Sequence, residues 1–174
     1  MRDLLLLGTG FLLVVLEAAL GTVTRLGPLM PNALLPVVIY LGMAPDISLA
    51  RAALLAFLLG MFVDSATGHA LGAMTFVHVL TLVVARAGAL RLVMRGRASQ
   101  VFITSLAAAT GSLIALTLLR LFRPDDQFES SSVRHTMIAV LVPSLATGAI
   151  APFVFQLVRR IDSLRRRDEG ASFV

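Results

Sequence analysis

The sequence predicts an all-α integral membrane protein, a six-transmembrane-helix bundle with both termini in the cytoplasm, and three observations carry that prediction. Of 174 residues, 57% are hydrophobic and 14% charged, where soluble domains carry about 25% charged residues. The apolar residues come in long charge-free runs, which is the pattern of segments whose solvent is lipid. The charge is also concentrated: a formal +5 comes from fifteen arginines and no lysine, gathered chiefly at 86–97 and 159–167. Residues 1–162 read as one polytopic domain and 163–174 as a basic cytoplasmic tail.

A spanning helix needs about 20 mostly apolar residues. The first expected span, 4–24, meets this once Glu17 is accommodated. As a signal peptide it would have a single arginine for its basic region and a glutamate close to the cut, so a retained helix is expected. The second, 28–45, holds Pro36 in its interior, and the third, 47–63, is short and carries Arg51. The fourth, 70–89, runs into Arg86, Arg91, Arg95 and Arg97. The fifth, 99–120, and the sixth, 136–158, follow, the latter leading into RRIDSLRRR. Pro143 and Pro152 should bend the sixth span, with Ser144 and Thr147 able to satisfy the carbonyls that the prolines free.

Cytoplasmic loops carry the excess of arginine, so an even number of spans must separate the two basic clusters. Spans five and six do so, which agrees with the hydropathy. Counting backward puts the N-terminus inside, Arg25 to Pro31 outside, Asp46 to Arg51 inside and Asp64 to Gly68 outside. The loop from Arg120 to Arg134, of mixed sign, belongs outside as well. The basic stretches hold no interleaved aromatics on which bases could stack, so nucleic acid is not an expected partner.

Small residues recur at every fourth position in span three: Ala52, Ala56 and Gly60, continuing through Asp64, Gly68 and Gly72. Such a face lets helix backbones approach closely. It serves either packing within the bundle or docking to another protein's transmembrane helix, and the sequence does not separate the two.

No motif for catalysis stands out: there is no Gly-x-Ser-x-Gly elbow, no His-Glu-x-x-His pair and no phosphate loop. Ser112 in TGSL is the nearest thing to a nucleophile, with His135 as a remote base, and packing is its expected role. Cysteine is absent, and His69, His78 and His135 share no ligand spacing, so neither metal nor cofactor is expected. His78 should be a neutral histidine packed inside the bundle. Glu17 and Asp64, with Arg25 and His69 near them in depth, either line a shallow outward polar pocket or form an interfacial ion pair and a loop turn. For Asp64 a turn between two helices is the expected role, so Asp64→Asn should fold nearly normally while Gly60→Leu or Gly72→Leu should disturb packing more.

Two segments, PNALLPVVIYLGM (Pro31 to Met43) and RAALLAFLLGMFVDSATGHALGAMTF (Arg51 to Phe76), resemble the signature of the MreD family of rod shape-determining membrane proteins. The shared pattern is a Pro-led apolar span ending near a tyrosine, then Gly60, Asp64, Gly68 and Gly72 at four-residue spacing. The likeness covers about residues 28–90, and Pro36 departs from it. It implies a non-enzymatic scaffold of the bacterial cell-elongation complex in the inner membrane. Its implied partners are MreC and, through it, the actin-like MreB, the glycosyltransferase RodA and a class B penicillin-binding transpeptidase, besides membrane lipids. MreD-like proteins are similar in topology to the S components of energy-coupling vitamin transporters. The alternative implied function is therefore a substrate-binding membrane protein with a pocket around Glu17, Asp64 and His69.

Overall fold

A computed structural model of the chain describes residues 2–24, 30–67, 72–89, 96–122 and 133–171. All regular structure among them is helical: α1 (Arg2–Thr24), α2 (Leu34–Met43), α3 (Leu49–Thr67), α4 (Ala73–Ala89), α5 (Arg97–Phe122) and α6 (Val133–Ala171). Four helices hold stretches long and apolar enough to cross a membrane, Leu5–Val23, Leu49–Ala66, Arg97–Leu118 and Arg134–Ile161, while α2 and α4 are shorter apolar helices.

The second expected span is therefore corrected. In place of a helix over 28–45 the segment forms one of 10 residues, α2, about 15 Å long against a hydrocarbon core of about 30 Å. Its end is set by Pro45, because a residue before proline is pushed out of the helical region. Ala44 is accordingly extended, at φ −70° and ψ 112°. Its start explains Pro36, which falls in the first turn, where a missing N–H leaves no ladder bond unmade. The third span is corrected in the other direction. α3 continues through Asp64 to Thr67, with Arg51 exposed in its first turn.

α2 is the centre of the molecule. Leu34, Leu35, Val37, Val38, Ile39 and Leu41 are all buried, the all-round apolar burial of a helix with neighbours on every side. One face meets α1, α3 and α4 through Val14, Leu59 and Leu82. The opposite face, Leu35 and Ile39, meets Ala108 of α5 and Ala151 and Phe155 of α6. The outer helices present large apolar side chains outward, such as Phe11 and Leu12 on α1, Phe102 on α5 and Phe153 on α6.

Close approach of backbones, which drives association where water is absent, occurs at glycines. A Cβ at Gly60 would lie 2.5 Å from the Thr75 Cα of α4, and one at Gly148 would lie 2.8 Å from the Val101 carbonyl of α5. In α6 both prolines sit inside a continuous helix. Ser144 donates to the Val140 carbonyl at 2.6 Å and Thr147 to the Pro143 carbonyl at 2.7 Å. The carbonyls that the prolines free belong to Ala139 and Gly148, four residues before each, so the expected compensation is not the one formed. α6 also carries the helix to Ala171, so most of the basic tail is helical.

Candidate functional site

Two carboxylates stand where long helices hand over to short ones, and each holds the start of the next helix. A helix begins with N–H groups that have no intrahelical acceptor. Asp64, 1% exposed on the last turn of α3, takes those of α4. It accepts from the Gly72 N–H (2.9 Å), the Met74 N–H (2.9 Å), the Thr75 N–H (3.1 Å) and the Thr75 hydroxyl (2.6 Å). Negative charge also suits this end of the helix dipole. Gly72, at φ 99°, supplies the left-handed turn that brings the chain back toward the carboxylate.

The same device recurs at α2. Glu17 of α1 accepts the Ala33 N–H at 3.1 Å, and the Asn32 side chain accepts those of Leu34 and Leu35 at 3.1 and 3.0 Å. Pro36 has none to offer, so the first turn of α2 is fully provided for. Thr147 then ties α6 to this joint by accepting the Asn32 N–H at 2.9 Å. At the other end of α2, Arg86 of α4 donates to the carbonyls of Ala44 and Ile47, the latter at 2.9 Å, and more distantly to Gly42. A guanidinium fork matches several such acceptors at once.

Asn32 and Arg86 are functional residues of this framework that the sequence reading missed. The signal for Asn32 was an asparagine just ahead of an apolar run, a capping pattern. For Arg86 the sequence offers no such signal, since it stands at the head of a run of arginines.

Of the expected polar group, the structure brings together less than predicted. Arg25, Gly68 and His69 lie outside the described residues. Asp64 turns into the α3–α4 joint, where it accepts four hydrogen bonds, and it does not line the cavity that Glu17 reaches. The small-residue ladder is internal: Ala52, Ala56, Gly60 and Asp64 are all buried. These four residues pack within the bundle. Gly72 is exposed, and a Cβ there would meet nothing within 4 Å.

Glu17 does reach a cavity, of about 260 Å³, with walls supplied by all six helices and the segment ahead of α2. Among the described residues its polar lining is Glu17, Asn32, Ser112, Ser144 and Thr147, with Leu35, Val63, Val77 and Leu116 among the apolar residues. Ser112 thus faces this space, whereas His135 is exposed on α6 and does not line it, so the two form no catalytic pair. A second space, about 630 Å³ between α4 and α5, is almost wholly apolar. His78 is fully buried, its Nδ1 2.6 Å from the Met74 carbonyl, which requires the proton on Nδ1. Among the described residues no three His, Asp or Glu side chains gather as a metal site would need.

Comparison with known proteins adds no relative: no family model, curated protein or solved structure matches this chain.

Proposed function

We propose that this chain is an MreD-type membrane scaffold, a non-enzymatic component of the bacterial cell-elongation complex that helps organise side-wall peptidoglycan synthesis through helix contacts with MreC. The observation that carries this reading is the use made of its most distinctive motif. In the segment from Gly60 to Gly72, the glycine admits the Thr75 backbone and the carboxylate closes the joint. These residues do architectural work, as a scaffold's signature should. In this reading the chain crosses the inner membrane six times, with the Asp64 and Glu17 joints toward the outside and the arginine clusters toward cytoplasmic headgroups. MreC then meets an exposed apolar helix face, since the α3 ladder is occupied within the bundle.

Co-purification with MreC in mild detergent tests this, together with cell rounding on depletion. Normal rod shape after clean deletion, with no paralogue present, would sink it.

One observation favours a second reading, a small-molecule-binding membrane protein of the S-component kind. The cavity beside Glu17 draws on every helix of the fold, as a binding site at the heart of a bundle would. Ligand-induced thermal stabilisation of the purified protein is its test.

A further inference from the structure

We propose that the Glu17 cavity binds a small primary ammonium compound, with the cation on the Glu17 carboxylate and a compact hydrocarbon body against the apolar walls. The proposal deepens the second reading above and rests on it, since the cavity must be a binding site before its ligand has a class.

The two joint carboxylates differ in what they leave unsatisfied. Asp64 accepts four hydrogen bonds. Glu17 accepts one, the Ala33 N–H on Oε2, and among the described residues its Oε1 has no donor. A partly buried carboxylate with a bare oxygen calls for a donor, and best for a charged one. Among the described residues no arginine or histidine lines the cavity to supply it. A cation would supply such a donor, whereas an anion would be repelled by the carboxylate.

The remaining groups select the kind of cation. A primary ammonium carries three N–H donors. Ser112, Ser144 and Thr147, each with a hydroxyl, line the same cavity as Glu17. Ser144 and Thr147 give their protons to helix carbonyls, which leaves Ser144 two lone pairs to accept with and Thr147 one beside the Asn32 N–H. A quaternary ammonium could use none of these acceptors. The volume of about 260 Å³ lies just below the common range of ligand pockets, about 300–1,000 Å³, which limits the body to a short chain or one ring.

The experiment uses the purified full-length protein in detergent, with 2-phenylethylamine as the probe and 2-phenylethanol and 3-phenylpropionate as its neutral and anionic counterparts. Thermal unfolding and calorimetric titration should show saturable binding of the amine and little of the other two at equal concentration. In Glu17→Gln the side-chain oxygen can still accept the Ala33 N–H while the charge is gone, so binding should weaken by roughly tenfold or more. Ser112→Phe, which fills the cavity from α5 and leaves Glu17 in place, should abolish binding, and it decides the matter if the Glu17 variant fails to fold.

A weaker apparent affinity in nanodiscs containing phosphatidylethanolamine than in phosphatidylcholine alone supports the proposal with a lipid headgroup as the natural amine. Equal affinity supports it with a free amine. If the alcohol or the acid binds as well as the amine, or Glu17→Gln binds undiminished, the ammonium inference is overturned while the cavity remains a binding site. If none of the three probes binds, the binding reading falls and takes the inference with it.

Discussion

Asp64 is where a single side chain decides most. The sequence places it beside a turn and gives it a role there, which the geometry keeps, but the expected tolerance of Asp64→Asn does not survive the contacts. An aspartate accepts on both oxygens, and here both are used. Asparagine would turn an amide N–H toward N–H donors at one of them, in a site sealed from solvent. The expected loss is about 2–3 kcal/mol, read as a lower unfolding temperature in detergent. Gly60→Leu should cost more, because its added atoms meet the Thr75 backbone rather than a movable side chain. Gly72→Ala should cost about 1–2 kcal/mol through its positive φ alone, since the space around it is open. The order Gly60→Leu, Asp64→Asn, Gly72→Ala separates steric, hydrogen-bonding and backbone causes within one motif. The fourfold spacing of small residues made the close approach legible. What it could not reveal was that Met74 and Thr75, ten and eleven positions on, aim their N–H groups at Asp64.

At the scale of the element, α2 shows why hydropathy located the helices better than it measured them. An apolar run gives the probability of burial, whereas the ends of a helix are set by caps and prolines. Pro45 stops α2 and the Asn32 cap starts it, so an 18-residue apolar expectation contracts to a 10-residue helix. A helix so short is held from outside itself. Arg86→Met should therefore destabilise the protein by about 2–3 kcal/mol, because it strips charged donors from the carbonyls at the end of α2. Arg86→Lys should recover part of that, since one ammonium cannot reproduce the planar fork. Equal stability of the two variants would mean that charge alone matters there. Asn32→Ala should cost about 1 kcal/mol, the ordinary value of a lost cap, and Asn32→Asp should be tolerated. Hydrogen–deuterium exchange of the α2 amides, measured against those of α5, would show whether the losses stay local.

At the scale of the whole molecule, the length of α2 bears on how the chain threads the membrane. Four helices suffice in length and hydropathy, while α2 and α4 are shorter. On the six-crossing reading proposed above, α2 at 10 residues is the crossing to test, and without it the count is five. Both alternatives leave the chain from α3 onward in the same place. They differ only in the side on which α1 begins. The chain holds no cysteine, so single cysteines can be introduced without removing any. Ser65 and Ala98 are both exposed, and they flank α4. Ser65→Cys should react with a membrane-impermeant thiol reagent in intact cells, and Ala98→Cys only after permeabilisation. A cysteine fused ahead of Met1 then reports on α2. If α2 completes a crossing with the extended residues before it, the fused cysteine stays protected like that of Ala98→Cys. If α2 is a plug sunk into the bundle from one side, the fused cysteine labels from outside together with that of Ser65→Cys. Protection is the expected result. Glu17 and Asp64 cap successive short helices by the same device, which makes α1–α2 and α3–α4 two units of one design. On the six-crossing reading proposed above, α1 and α3 of such a design run the same way across the membrane.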